Sequence, residues 1–321
     1  MRTSRRSVPC RCTPLIFLAA CASQMPGLRH QQRVSTHVGD FLLEFSDADS
    51  TAAAQLSSAL ENAGASIGRW GELRSPVKLE VLPSHELLEE AVNRQGYGWL
   101  RAWARYDEIL LQSPRTWGPV APTQAEVTEL LTHELTHCMM YQQSSDRLSW
   151  SEKEFPLWFR EGMASYTAGQ GYRWPRLEEL ARFLQSHPNQ DPIGRPEGLY
   201  KTESDMVYSA AHHAFTYLVQ QHGEAGVRTI LHAMLPGPKF SEAFAQVIGM
   251  RPDDFAGQFK RYVEGRASVS APPCALPPPG FPESAADPCP PSLAEAQFPA
   301  TGSRARRWRP ERCRSPLHKT H

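Results

Sequence analysis

The segment TQAEVTELLTHELTHCMMY, residues 123–141, is the most informative part of the sequence, because it predicts a helix with two different faces. Its start is a Thr-x-x-Glu capping box, in which Thr123 and Glu126 each bond a backbone amide of the first turn. One face is apolar at 100° per residue and is predicted to lie in a core; it consists of Val127, Leu131, Leu135 and Cys138. His133 and His137 fall on roughly the opposite side, so this helix connects a core with a polar site.

The two histidines belong to an H-E-x-x-H motif that predicts a zinc site. Residues four positions apart are stacked one turn apart on a helix, so the imidazoles of His133 and His137 can reach one ion. Glu134 is offset around the helix, where it can contact a water on the metal without being a ligand. Zinc at such a site keeps one position open and lowers the pKa of the water bound there. The alternative interpretation is two surface histidines on an ordinary helix.

A second segment, PLWFREGMASY at residues 156–166, supplies the best candidate for the third ligand that a catalytic zinc site needs. Glu161 is the carboxylate in this segment. Pro156 suits the first turn of a helix. Gly162 and Ala164 are small, so this helix is expected to pack closely against another one.

The two segments together resemble the gluzincin group of zinc metallopeptidases, and within it the peptidase-MA-like domain, which is related in its motif to thermolysin and the M1-type aminopeptidases. The resemblance extends over residues 77–262 and is specific at the two motifs. It implies a zincin-like fold with one Zn²⁺ per chain. It also implies His133, His137 and Glu161 as the zinc ligands and Glu134 as the general base.

The resemblance also places a tyrosine that donates to the oxyanion on a later helix. Tyr208 fits this position. The oxyanion is the negatively charged oxygen that forms when water attacks the peptide carbonyl, and a tyrosine hydroxyl stabilises it through a hydrogen bond. His212 lies one turn further on the same face and is a second candidate for the oxyanion or the substrate. The alternative is that Tyr208 is half-buried core and that the histidines lie on the surface.

The sequence departs from the family pattern at two places. Thermolysin-like enzymes have an acidic residue four positions after the glutamate ligand, where it supports a histidine ligand, whereas this chain has Ser165. The Gly-rich stretch that binds the substrate amino terminus in aminopeptidases is missing before the zinc helix. An endopeptidase, or an enzyme with an unusual substrate, is therefore favoured over an aminopeptidase.

Around these segments the sequence predicts an α+β fold, in which a small mixed β-sheet subdomain precedes a mainly helical catalytic domain. One peptidase domain is predicted over residues 37–266. Strands are predicted at residues 41–45 and 77–81 and within 102–111, where the strand ends at 109–111. Helices are predicted at residues 52–63 and 84–92. The resemblance implies two further short helices, at residues 240–249 and 252–262, and a helix that carries Tyr208 and closes at Gly223.

Residues 1–21 have the layout of a secretory signal peptide that ends in a lipobox. Four arginines precede a short apolar stretch at residues 15–20, and Leu18-Ala19-Ala20-Cys21 matches the lipobox of bacterial lipoproteins. Cys21 is then the lipid attachment site, and multiple acyl chains give a stable membrane anchor. The expected location is the bacterial cell envelope, as an outer-membrane lipoprotein. A plain signal peptide with an incidental cysteine is the alternative.

The segment 267–321 is predicted to be a basic, disordered tail, because it holds 12 of the 28 prolines. After export, four cysteines remain in an oxidising compartment, and no pairing is predicted among them: Cys138, Cys274, Cys289 and Cys313.

The formal net charge of zero argues against a nucleic-acid binder, which usually has a basic domain. Residues 21–266 alone contain 23 basic and 30 acidic residues, so the neutral sum conceals an acidic body between two basic ends.

The function predicted from the sequence is a zinc peptidase with a peptide or protein substrate in the cell envelope. The alternatives are a non-catalytic surface lipoprotein that binds peptide or envelope polymer, and a zinc hydrolase of a non-peptide substrate.

Overall fold

The computed structural model describes residues 30–235 and 237–267. Its first part is built around a sheet and consists of β1 (His30–Thr36), β2 (Gly39–Phe45), α1 (Ser50–Ile67), β3 (Val77–Leu82), α2 (His85–Val92), β4 (Ala102–Ala104) and β5 (Glu108–Gln112). Its second part is helical and consists of α3 (Gln124–Ser144), α4 (Leu157–Thr167), α5 (Leu177–Ser186), α6 (Ser204–Ala233), α7 (Phe240–Ile248) and α8 (Pro252–Ala267). The predicted α+β class, a small mixed sheet followed by a mainly helical region, is confirmed.

The sheet has five strands in the order β1-β2-β3-β5-β4. The three central strands β2, β3 and β5 are parallel, and the two outer strands β1 and β4 are antiparallel to their neighbours. Alternate residues of the central strands are buried in the main core, which also includes α1 and α3; examples are Phe41, Leu43, Val77, Leu79 and Ile109. The sheet therefore forms one wall against which α3 packs.

Two features of the sheet differ from the sequence prediction. Strand β1 was not predicted, and it lies before residue 37, where the predicted domain begins. Only one of its seven residues, Val34, is buried, so its sequence shows almost no hydrophobic pattern. The single strand predicted within 102–111 is wrong, since this segment forms β4 and β5. The chain reverses between them, where the amide of Arg105 donates to the carbonyl of Glu108 at 2.7 Å.

Helix α3 begins as the sequence predicts. The Thr123 side chain accepts a hydrogen bond from the amide of Glu126, and the Glu126 carboxylate accepts one from the amide of Thr123 at 2.7 Å. All four residues of the predicted core face are completely buried: Val127, Leu131, Leu135 and Cys138. Burial also raises the pKa of the Cys138 thiol well above its usual value, which keeps the thiol protonated.

Helix α4 lies unusually close to α6, and the predicted role of its small residues is confirmed at Gly162. A Cβ atom at Gly162 would overlap the backbone oxygen of Ala211 and would lie 2.6 Å from the Cβ of Phe215. One turn before Gly162, Trp158 and Phe159 of α4 belong to an aromatic cluster with three rings of α7 and α8, Phe240, Phe244 and Phe255. Helix α4 is therefore held by contacts with α6, α7 and α8.

Helices α7 and α8 lie where the resemblance places them, whereas α5 was not predicted and α6 does not end at Gly223. Helix α6 has a break at Gly223, whose φ of 68° is a backbone conformation that favours glycine. After the break the helix continues to Ala233, and the buried Lys153 donates from Nζ to the carbonyl of Met234 at 2.6 Å. Such a lysine satisfies a carbonyl that the end of the helix leaves without a partner.

The predicted signal peptide, the lipobox with Cys21 and the proline-rich tail lie outside the described residues. Within residues 30–235 and 237–267, no helix is both long and apolar enough to span a bilayer.

We expect Gly162→Ala to destabilise the protein, because the added Cβ meets backbone and cannot be accommodated by a side-chain rotation. The expected loss is about 1–3 kcal/mol of unfolding free energy, which urea denaturation measures. Gly257→Ala in α8 is the matched control, since the nearest atom to its added Cβ lies 3.6 Å away, at the end of the Arg261 side chain. That variant should gain about 0.5–1 kcal/mol from helix propensity. Equal stability of the two variants would contradict the close packing of α4 on α6.

Candidate metal centre

The structure brings together the three predicted ligands, His133 and His137 from α3 and Glu161 from α4. The Nε2 atom of His133 lies 3.5 Å from Oε2 of Glu161, and the Nε2 atom of His137 lies 3.8 Å from the same oxygen. One ligand atom from each of the three residues lies within 4.8 Å of the others. The three side chains are almost completely buried. Two nitrogen atoms and one carboxylate oxygen therefore converge on one point between two helices.

The hydrogen bond of His133 leaves Nε2 available to a cation. Its Nδ1 atom lies 2.9 Å from the Oε1 atom of Gln170. An amide oxygen only accepts, so Nδ1 carries the proton, and in the neutral ring Nε2 keeps its lone pair. Support of this kind from the far side of the ring is typical of histidines that bind a metal. Gln170 lies in a 3₁₀ turn, residues 170–173, directly after α4.

The two oxygens of Glu161 have different partners. The Nε atom of Arg160 donates to Oε1 at 3.0 Å, whereas Oε2 faces the two imidazoles. Burial alone would raise the pKa of Glu161, but the Arg160 guanidinium and the imidazoles together hold that pKa well below its usual range. Burial lowers the pKa of His137 to about 3, so that ring is neutral. Together with Nε2 of His133, the Glu161 carboxylate and the neutral His137 ring form a set of one oxygen and two nitrogen donors that suits zinc.

Glu134, the predicted general base, lies beside the three ligands in the contact between α3 and β4. Its carboxyl is buried, and burial is the main reason that its pKa is raised to about 7. The backbone amide of Ala104 in β4 donates a hydrogen bond to it and counteracts part of this increase. A carboxyl group with a pKa near neutrality is suited to accept a proton and to return it.

Tyr208, the predicted oxyanion donor, is held at its ring and at its hydroxyl. Its ring stacks on that of Trp174, with centroids 4.9 Å apart and planes inclined by 12°, and its hydroxyl oxygen lies 2.8 Å from that of Tyr200. Burial, followed by the negative charge of Glu161, raises the pKa of Tyr208 well above its usual value. The phenol therefore stays protonated as a donor requires, and its role toward a substrate stays a prediction.

His212 of α6 forms a side-chain hydrogen bond with Ser165 of α4. Its Nδ1 atom lies 3.0 Å from Oγ of Ser165, which also accepts a hydrogen bond from the indole of Trp174 at 2.9 Å. Its ring packs against Gly171, where a Cβ would lie 2.7 Å from Nε2. Burial lowers the pKa of His212 to about 4, so the ring is neutral. The predicted role of His212 toward the oxyanion or the substrate stays a prediction.

Sequence analysis missed four residues that hold the site residues in place: Arg160, Gln170, Trp174 and Tyr200. Arg160 directly precedes Glu161, so its proximity to that carboxylate was the one signal available. The other three lie in turns and connecting segments, where no spacing rule relates them to the motifs.

No protein-family model and no curated protein matches this chain. Among solved structures, it is similar to the aminopeptidase A of Legionella pneumophila, solved in complex with aspartic acid; the identity is 15%, the TM-score 0.46, and the match covers 72% of this chain and 28% of that one. An M1 zinc metallopeptidase from Deinococcus radiodurans has 12% identity and a TM-score of 0.40, over 76% of this chain and 53% of that one. An aminopeptidase N family protein from Idiomarina loihiensis has 16% identity and a TM-score of 0.29, over 74% of this chain and 42% of that one. This chain thus spans about half or less of the length of these proteins.

We expect Arg160→Met and Gln170→Ala each to weaken zinc binding, because they release the far side of Glu161 and of His133. The expected loss of affinity is about 10–100-fold, measured by competition with a chelating dye on the purified full chain. Arg69→Met is the matched control. Arg69 is about as exposed as Arg160 and pairs with another glutamate, Glu224, at 3.1 Å. If Arg160→Met binds zinc as tightly as the control, Arg160 does not hold Glu161 as a ligand.

Proposed function

We propose that this protein is a zinc-dependent peptidase that hydrolyses peptide bonds in the cell envelope. The main support is the convergence of two imidazole nitrogens and one carboxylate oxygen beside a second, buried carboxyl group. His133, His137 and Glu161 would hold the ion. A zinc ion there acts as a Lewis acid that polarises the carbonyl group of the substrate.

Glu134 moves the proton in this proposal. Its carboxylate accepts a proton from the water that attacks the peptide carbonyl, and its carboxyl later gives that proton to the leaving amine. The pKa of about 7 suits both directions of transfer. Tyr208 donates its phenol proton in a hydrogen bond to the oxyanion that forms on the carbonyl oxygen.

The strand next to Glu134 supports a peptide as the substrate. Strand β4 is the last strand in the sheet order, and among the described residues β5 is the one strand that pairs with it. An extended peptide can add to such an edge through backbone hydrogen bonds. This mode of binding makes no use of a chain terminus, so it favours an endopeptidase.

For the location, we propose export and anchoring through a lipid on Cys21. The support is the arrangement of arginines, apolar residues and Leu-Ala-Ala-Cys in residues 1–21.

We expect Glu134→Gln to abolish peptide cleavage and to leave zinc binding intact, because the amide keeps the size of the side chain but does not accept the proton. Cleavage of a mixed-sequence peptide library, followed by mass spectrometry, should fall about 10²–10⁴-fold, with one zinc per chain retained. The control is Glu126→Gln in the exposed capping box of the same helix, which should keep full activity.

Undiminished cleavage by Glu134→Gln would rule out the assigned base. Wild-type protein that binds zinc but cleaves no peptide would instead point to a non-peptide substrate or to a binding protein.

For the anchor, Cys21→Ser should move the protein from the membrane fraction to the soluble periplasmic fraction in a bacterial expression host and should abolish labelling with radioactive palmitate. Cys138→Ser, which alters a buried thiol, is the control and should leave both properties unchanged. Membrane association that survives Cys21→Ser would argue against the lipid anchor.

A further inference from the structure

A row of four half-buried aromatic rings runs from the sheet to α6 at the candidate metal centre. Trp99, in the segment before β4, contacts Tyr200 with ring centroids 6.3 Å apart and planes inclined by 66°. The ring of Tyr200 lies 5.9 Å from that of Tyr208, and Tyr208 in turn stacks on Trp174. Tyr200 lies four residues before α6, so this aromatic row joins three separate segments of the chain.

The position of the Tyr208 ring is fixed, but its hydroxyl proton has a choice of direction. Trp174 covers one face of the ring, and the indole nitrogen of Trp174 is itself bonded to Ser165. A phenol hydroxyl is both a donor and an acceptor, and its hydrogen turns to suit the partner. The one hydrogen-bond partner of the Tyr208 hydroxyl among the described residues is the hydroxyl of Tyr200, at 2.8 Å.

We propose that Tyr200 is a positioning residue that donates its hydroxyl proton to the oxygen of Tyr208, so that the proton of Tyr208 points away from Tyr200 and toward the substrate. This inference rests on the proposed function, in which Tyr208 donates to the oxyanion. An oxygen that accepts one hydrogen bond becomes a better donor in the next, so the pair strengthens the bond to the oxyanion.

The arrangement requires both phenols to keep their protons, and burial raises the pKa of both. Two phenols that share one hydrogen bond have one proton left over for a third group. With Tyr200 as the donor, that remaining proton is the one on Tyr208, which lies in helix α6.

Trp99 adds a link to the sheet. Its ring contacts Tyr200 from the side of the segment that leads into β4, the edge strand proposed to bind the peptide. Trp99→Ala removes that contact without touching either hydroxyl, so it tests whether the Tyr200 ring must be held for the hydroxyl pair to form.

The kinetic test uses Tyr200→Phe, Tyr208→Phe and the double variant, each as the full zinc-loaded chain, on one peptide that the wild type cleaves. Tyr200→Phe should lower kcat about 3–10-fold, the size expected for one hydrogen bond, with KM within about twofold. The double variant should be no slower than Tyr208→Phe alone, because Tyr200 acts through Tyr208. Tyr166→Phe, whose hydroxyl lies 3.4 Å from Glu224, is the control and should leave kcat unchanged. Multiplicative losses in the double variant, or a raised KM with unchanged kcat, would overturn the inference.

A second measurement needs no substrate. In protein labelled with ¹³C at the tyrosine ζ carbon, Tyr200→Phe should shift the Tyr208 resonance, Trp99→Ala should shift it in the same direction, and Tyr166→Phe should leave it in place. An unmoved Tyr208 resonance in Tyr200→Phe would overturn the inference even in an active enzyme. If the wild type cleaves no peptide, the proposed function fails, and the resonance alone decides whether the two hydroxyls are paired.

Discussion

The ion pair between Arg160 and Glu161 is the interaction on which the candidate metal centre depends. A carboxylate this deeply buried would take up a proton if it had no partner, because burial disfavours its charged form. The guanidinium bonds one oxygen at 3.0 Å and stabilises the charge, and the other oxygen remains directed at His133 and His137. This arrangement requires that α4 keep its place relative to α3. The close fit of Gly162 against α6 and the aromatic cluster around Phe159 hold α4 in that place.

The parts of this protein that were predictable from sequence are those specified by local signals. Helix α3 and its two histidines are specified by signals that need no tertiary contact. These are a capping box, apolar residues that repeat every 3.6 positions, and a motif that lies within five residues. Glu161 required a second helix at the right distance, and only the resemblance between motifs supplied that relation. Strand β1 and the reversal at Arg105 were missed because their residues pair through backbone groups, which leave little trace in the side-chain pattern. Gln170 and Tyr200 were missed because they lie in turns and connecting segments. Their positions next to the site depend on the tertiary structure, and no spacing in the sequence relates them to the two motifs.

Ser165 stands where the resemblance leads one to expect an acidic residue, and its partners differ from those of such a residue. At the position where thermolysin-like enzymes support a histidine ligand, the serine hydroxyl instead bonds the indole of Trp174 and the imidazole of His212. The support for His133 comes from the amide of Gln170, a neutral partner. A neutral amide fixes the tautomer of the ring but adds no negative charge to the centre. The serine therefore contributes to the tyrosine side of the site, since Trp174 is the ring on which Tyr208 is stacked.

Two groups of the site share one arrangement, in which a protein partner bonds one polar atom and the other polar atom faces the candidate metal centre. In His133 and Glu161 the bonded atoms are Nδ1 and Oε1. His137 is the exception, because its buried Nδ1 atom has no hydrogen-bond partner among the described residues. Its orientation thus comes from packing alone, and neither tautomer is selected by a neighbour. A cation at Nε2 would itself place the proton on Nδ1, so His137 is the ligand whose protonation depends most directly on the metal.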